Sequence, residues 1–224
     1  GSAADPFDRW LLALEKRHLA DRTFQEVRRA LQALSSLYVE RRDTAPLSDA
    51  YHGEGKRAAY ALFYGPLHFL TVREIVRAAG AAGPPPRTIV DLGCGTGAGG
   101  AAWALEAGGR SEVRGIDRNS WAVEEANRAY LDLGLHGRAR TGDALRLLLP
   151  GRGDAVLAAY VVNELGARER DRLLASLLDA ADRGARVLVI EPVSRRVAPW
   201  WDTWSAAFLA AGGVGDTRRF RPEL

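Results

Sequence analysis

The sequence predicts an α/β protein: a parallel sheet covered by helices on both faces, preceded by an N-terminal helical extension. Three observations carry that reading. From residue 88 onward, short apolar runs alternate with stretches of helical periodicity, the pattern of strand–helix repeats around a parallel sheet. Before residue 84 the apolar residues recur only at three- and four-residue steps. Between the two lies Gly83-Pro84-Pro85-Pro86, a stiff spacer. The expected division is a helical cap over 1–83 and a sheet domain over 84–224.

Composition narrows the class. At 224 residues, 47% hydrophobic and 26% charged, the chain has an ordinary globular balance, which excludes collagen-like, disordered and disulfide-scaffold proteins. A formal charge of +3 is not that of a polycation, so any RNA footprint requires arginines clustered in space. All basic residues but Lys16 and Lys56 are arginine, and alanine is abundant; compositional bias explains this before recognition does. Cys94 is the single cysteine, which excludes an internal disulfide and any cysteine-based metal cluster. A cytoplasmic setting is expected. No apolar run approaches the roughly 20 residues of a spanning helix, so no membrane role is expected. Gly1-Ser2 reads as a tag remnant.

In chain order, Trp10, Leu11 and Leu14, then Phe24, Val27, Leu31, Leu34 and Tyr38, mark two helices. They break near Asp21-Arg22-Thr23, where Asp21 or Thr23 caps the second. Interleaved acids make Arg9–Arg42 a solvated face with i,i+4 pairs. Asp43–Pro46 is a linker. Glu54–Phe63 and Pro66–Gly80 are two further helices, divided at Gly65-Pro66. Strands are expected at Thr88–Asp91, Val113–Asp117, Arg138–Thr141, Ala155–Ala159 and Arg186–Glu191. Helices are expected near Ala98–Ala107, Ser120–Leu133, Arg168–Ala181 and Pro199–Ala211. Trp200, Trp201 and Trp204 share the last helix and are expected in the core.

The strongest chemical signal is Val90-Asp91-Leu92-Gly93-Cys94-Gly95-Thr96-Gly97, between a predicted strand and a predicted helix. Glycines there permit a tight turn and close approach of backbone to a ligand. The spacing is G-x-G-x-G, not the G-x-G-x-x-G of a dinucleotide site. Asp91 closes the strand, and a carboxylate there repels phosphate but suits an ammonium or sulfonium. Asp117 ends the second strand, where an acid accepts both hydroxyls of a ribose. Thr141-Gly142-Asp143-Ala144 follows the third, and Asp143 is placed to accept from an adenine amino group. Three points on successive strand ends converge on the crevice where open α/β sheets bind ligands. Cys94 reads as a small filler.

Thr88 to Glu191 resembles the S-adenosylmethionine-dependent methyltransferases with a Rossmann-like sheet. The resemblance implies that Gly93, Gly95 and Gly97 lie under the methionine part and that Asp91 orients its ammonium. It implies that Asp117 holds the ribose, that Asp143 holds adenine N6, and that Ile116 and Arg118 flank the ring beside Ala144. In this fold the end of the fourth strand faces the transferable methyl. Tyr160, Asn163 and Glu164 fall there and are the catalytic candidates. Methyl transfer requires the nucleophile held in line and its proton removed; Asn163 and Glu164 either do this or cap the next helix. Tyr160 is also a candidate contact to the cofactor.

Ala159-Tyr160-Val161-Val162-Asn163-Glu164-Leu165 and Val187-Leu188-Val189-Ile190-Glu191-Pro192 resemble, more narrowly, the methyltransferase-like family associated with the small ribosomal subunit. That resemblance implies ribosomal RNA or a ribosome-associated target. Members often carry a cysteine cluster, which this chain cannot form, and they usually continue further; only Asp216–Phe220 remains here for a sixth strand. In the helical part, Lys56, Tyr60 and Tyr64 share one helix face. Tyr51, His52 and Arg57 flank that face, which is expected mainly to pack on the sheet domain; His52 lies closer to a plausible mouth, and Arg57 or Tyr60 is a candidate for the cofactor carboxylate. His18 and His68 read as structural or solvent-facing. Three functions remain open: a methyltransferase acting on RNA or the ribosome, one acting on a small molecule beneath the cap, and a non-catalytic ribosome-assembly factor.

Overall fold

The computed structural model describes residues 5–40, 51–192 and 198–218. The linker expected at Asp43–Pro46 lies outside them.

The described chain opens with α1 (Pro6–His18) and α2 (Phe24–Glu40). Asp5 caps α1, its side chain accepting from the Phe7 N–H. Thr23 caps α2 in a reciprocal box with Glu26: the Glu26 N–H donates to Thr23 Oγ1, and the Thr23 N–H donates to Glu26 Oε2. Then come α3 (Glu54–Ala59) and α4 (Gly65–Ala78), joined by a π-helical turn over Tyr60–Tyr64. The division expected at Gly65-Pro66 is therefore absent. The chain stays helical because the wider turn absorbs the proline: the Gly65 N–H reaches back five residues to the Tyr60 carbonyl, and Pro66, lacking an N–H, sits in the first turn of α4.

From residue 88 the order is β1 (Thr88–Leu92), α5 (Ala98–Glu106), β2 (Glu112–Asp117), α6 (Ser120–Asp132), β3 (Gly137–Thr141), β4 (Ala155–Ala159), α7 (Ala167–Asp182), β5 (Arg186–Ile190) and α8 (Trp201–Ala210). The five strands are all parallel, in the order β3-β2-β1-β4-β5. Each predicted strand is present to within a residue. Asp216–Arg218 forms no strand, and the rest of the expected Asp216–Phe220 strand lies outside the described residues.

Alternation along β1 splits the core in two. Ile89 faces α1, α4, α5 and α6, packing with Trp10, Phe69 and Trp103. Val90 and Leu92 face α7 and α8, packing with Leu177, Trp200 and Trp204. Trp200 and Trp204 are thus core, as expected, and Trp201 packs partly buried against them. The helical extension shares the first of these cores with the sheet, which fixes α4 over the strand ends. Arg17 does not pair along its own helix: it reaches α6, 2.7 Å from Asp132. His18 is buried beside Glu125, at 3.1 Å. Both residues tie α1 to α6.

Candidate active site

The chain leaves β1 for β2 on one side and returns to β4 on the other, so the C-terminal ends of β1, β2 and β4 enclose a crevice. A cleft of about 240 Å³ occupies it.

Its floor is the loop from β1 to α5. Gly93 and Gly95 both take left-handed backbone, φ 61° and 52°, which leaves bare peptide facing the cleft. A Cβ on Gly93 would lie 2.5 Å from Val161 Cγ2, and one on Gly95 would lie 3.3 Å from the Tyr51 hydroxyl. Asp91 lies below this loop, 2% exposed, and its Oδ2 accepts from the Gly100 N–H at 2.8 Å. Burial, with the Asp117 charge adding, pushes its carboxyl up to about 7.

Asp117 accepts from Gly95 N–H (2.9 Å) through Oδ2 and from Asn119 N–H (2.8 Å) through Oδ1. It therefore joins the end of β2 to the glycine loop. Arg118, beside it, donates to Asp143 Oδ1 at 3.2 Å and lies 3.6 Å from Glu169. Asp143 also accepts from the Leu145 N–H at 3.0 Å; that amide first, and then Arg118, hold its carboxyl below the usual range.

Tyr160 follows β4 with φ 59°, a left-handed conformation that costs a non-glycine residue roughly 1–3 kcal/mol and is concentrated at functional sites. Its N–H donates to the Ile190 carbonyl at 2.8 Å. Its ring lies on His68 of α4, centroids 4.4 Å apart. Burial pushes the Tyr160 phenol up to about 12 and the His68 imidazole down to about 4, so both are uncharged at neutral pH. Tyr60, at the start of the π-helical turn, stands edge-on to Tyr51, centroids 4.9 Å apart.

Ten of the thirteen predicted site residues line this cleft: Asp91, Gly93, Gly95, Asp117, Arg118, Asp143, Ala144, Tyr160, Glu164 and Tyr60. Three do not. Gly97 turns away toward α6, where a Cβ would lie 2.9 Å from Ala126 Cβ; it is a packing glycine. Arg57 donates from Nε to the Tyr51 carbonyl at 2.9 Å and lies over Trp121, so it braces the cap and does not line the cleft. Asn163 spends its amide elsewhere: Nδ2 donates to Glu191 Oε2 (3.1 Å), and Oδ1 accepts from Trp200 Nε1 (2.7 Å). It shapes the loop after β4 instead of holding a nucleophile.

Two residues absent from the predicted set, Tyr51 and His68, also line the cleft, and a third supports it from behind. Glu191, at the end of β5, accepts from the Val162 N–H at 2.8 Å, and burial pushes its carboxyl up to about 7. His68 continues the four-residue series of Lys56, Tyr60 and Tyr64, the one signal that would have found it. Tyr51 stands just before the helix that carries Arg57 and Tyr60, whereas nothing local marks Glu191.

Residues 89–184 match the family model described as a methyltransferase domain. Among solved structures, the chain is similar to mitomycin 7-O-methyltransferase, at 16% identity and TM-score 0.52, over 93% of this chain and 67% of that one. It is also similar to magnesium protoporphyrin IX methyltransferase from Synechocystis PCC 6803 with bound S-adenosylhomocysteine: 25% identity, TM-score 0.46, 62% of each chain. A third is an amino pentose methyltransferase from Micromonospora echinaspora with bound S-adenosylmethionine: 22% identity, TM-score 0.43, 58% of this chain and 53% of that one. Against the Synechocystis enzyme the chain spans less than two thirds of the other's length. No curated protein matches the sequence.

Residues 89–184 thus match a methyltransferase domain and lie on a Rossmann-like sheet; the cofactor that such a match brings into question is S-adenosylmethionine. The residues present fit that cofactor. A cradle of bare peptide that Cβ atoms would fill, a carboxylate beneath it and another at the end of β2 suit a cationic nucleoside and repel a pyrophosphate. When bound, S-adenosylmethionine supplies an electrophilic methyl on a sulfonium sulfur. Among the described residues no helix is long and apolar enough to cross a membrane.

Proposed function

We propose that the chain transfers the methyl group of S-adenosylmethionine to a small molecule held beneath the helical cap. The observation that carries this reading is the roof: His68 of α4 lies flat on Tyr160 and lines the cleft with it. The acceptor space beside the fourth strand is then a cleft roofed in part by rings. Burying a small planar or apolar body there, with a few polar groups to orient it, is the ordinary design of a small-molecule site. The chain's own residues do three things. Asp91 and Asp117 hold the positive and hydroxylic ends of the cofactor, the glycine loop lets it lie against backbone, and the aromatic roof excludes water from the nucleophile.

The ribosomal reading finds less support. A polynucleotide needs a positive track beside the reacting atom. Among the described residues, Arg118 is the single lysine or arginine lining the cleft, and it is already paired with Asp143 and Glu169.

Calorimetry with S-adenosylhomocysteine, followed by incubation of labelled S-adenosylmethionine with a size-fractionated cell extract, tests the proposal. Label is expected in the small-molecule fraction. Label in ribosomal RNA returns the function to the ribosome. Cofactor binding without transfer to any fraction leaves the assembly-factor reading.

A further inference from the structure

We infer that Glu191 is a positioning residue: with Asn163 and Trp200 it forms a clasp that holds Tyr160 in its left-handed turn and so keeps the roof over the cleft. This goes beyond the proposed activity and holds whichever acceptor the cleft takes.

The first ground is backbone. A non-glycine residue keeps left-handed backbone only where its surroundings over-determine it. Tyr160, φ 59°, is gripped on both sides. Its own N–H donates to the Ile190 carbonyl at 2.8 Å. Past the turn, the Val162 and Asn163 N–H groups donate to Glu191 Oε1 at 2.8 and 3.4 Å. Two consecutive residues at the end of β5 thus fix the chain before and after the strained residue. Between these contacts, Val161 turns its side chain onto the glycine loop: a Cβ on Gly93 would lie 2.5 Å from Val161 Cγ2. The same grip therefore sets both the roof, where the Tyr160 ring lies on His68, and the floor.

The second ground is the direction of each hydrogen bond. Trp200 Nε1 is a donor only, and it donates to Asn163 Oδ1 at 2.7 Å. That contact fixes the amide, so Nδ2 is the end turned to Glu191 Oε2, at 3.1 Å. Both Glu191 oxygens therefore face donors, backbone amides on one and a side-chain amide on the other. Only an ionised carboxylate accepts from all of them. A glutamine of the same shape, whichever way its amide turns, sets donor against donor, and a mismatch of that kind pushes the loop open. Trp200, at the start of α8, is packed in the core with Leu177 and Trp204, which anchors the clasp. Asn163 and Glu191 do not line the cleft; they act on it through Tyr160 and Val161.

The test takes two readings on the whole protein at pH 8, where the Glu191 carboxyl, raised to about 7 by burial, is ionised. One is the upfield ring-current shift that Tyr160 imposes on the His68 imidazole protons, with Tyr160→Leu marking its absence. The other is affinity for S-adenosylhomocysteine by calorimetry. Glu191→Gln is expected to lose most of the shift and to bind about tenfold more weakly. Adding Asn163→Asp reverses the pair: the new amide at position 191 donates to a carboxylate at position 163, whose other oxygen accepts from Trp200. The double variant is expected to regain most of the shift and to bind within about threefold of wild type. A mere loss of core stability would not be mended by moving the carboxylate across the same contact. A Glu191→Gln variant with wild-type shift and affinity overturns the assignment, as does a double variant no better than the single one. Should Glu191→Gln not fold, a folded double variant with the wild-type shift supports the clasp, and an unfolded one overturns it. If the wild type does not bind S-adenosylhomocysteine, the cofactor reading fails and the ring shift alone decides the clasp.

Discussion

Tyr160 and His68 are stacked, with centroids 4.4 Å apart and ring planes 23° apart. One comes from the turn after β4 and the other from α4, so this contact joins sheet and helical extension directly over the cleft. The strained backbone of Tyr160, φ 59°, is what aims its ring at the helix.

That strain has a measurable signature. Tyr160→Val and Tyr160→Gly both lose the ring, but valine is forced into left-handed backbone while glycine enters it freely. Denaturant unfolding is expected to find the valine variant less stable than the glycine variant by about 1–2 kcal/mol. Equal stabilities would mean that the turn relaxes and holds no strain.

Gly93 must remain bare. A methyl there overlaps Val161 and meets a φ of 61°. Gly93→Ala is expected to fold, with a loss of about 1–3 kcal/mol, and to weaken S-adenosylhomocysteine binding at least tenfold. Adding Val161→Ala should recover part of the stability. If the double variant is no better than the single one, the overlap is not the cause.

Cofactor affinity should depend on pH through Asp91. Its carboxyl sits at about 7 because it is buried, and only the ionised form attracts a sulfonium or ammonium. Affinity should be greatest above pH 7 and fall as the pH drops toward 5, by up to about tenfold per pH unit. Asp91→Asn should bind weakly with a flatter profile. A wild-type affinity that is constant from pH 5 to 8, measured by calorimetry, would remove Asp91 from the cation site.

Asp117 has two duties, bracing Gly95 and facing the cleft. Asp117→Ala is expected to lower cofactor affinity at least a hundredfold, because a charge-assisted hydrogen-bond acceptor is lost and the glycine loop is freed. Asp117→Asn keeps one acceptor oxygen and should lose less. Affinities within threefold of wild type for both would count against the ribose role.

Glu191 predicts a purely supporting effect. It accepts from two backbone N–H groups and the Asn163 amide. Removing it strands those donors, so Glu191→Ala should cost about 2–4 kcal/mol, with turnover reduced through the misplaced Tyr160–Glu164 loop. Thermal unfolding checks the first expectation, and a normal melting temperature with lost turnover would instead make Glu191 a participant in the chemistry.

The sheet was legible because its signals are local. Apolar runs such as Thr88–Leu92 and Ala155–Ala159 announce buried parallel strands, and Asp91, Asp117 and Asp143 each lie at or just past the C-terminal end of one strand. The cleft's roof was not. His68 becomes a site residue only because α1 and α4 pack through Trp10 and Phe69 onto the same core as Ile89, a contact across nearly eighty residues. Gly97 looked identical to Gly93 and Gly95 in spacing, yet it serves α6. Asn163 carries the right chemistry at the right strand end, but Trp200, thirty-seven residues later, claims its amide. In each case the decisive partner is remote in sequence, where periodicity carries no information.

The π-helical turn at Tyr60–Tyr64 sets rotational phase. An α-helix advances about 100° per residue, so one extra residue in a turn swivels everything after it relative to everything before. Excising a single position from that turn would wind the rod back to ordinary pitch and turn either Tyr60 or His68 off the chamber, dismantling the lid without touching the floor. Wide turns of this kind act as angular shims: a small deletion far from any reacting atom suffices to uncouple the capacity to hold a nucleoside from the capacity to use it.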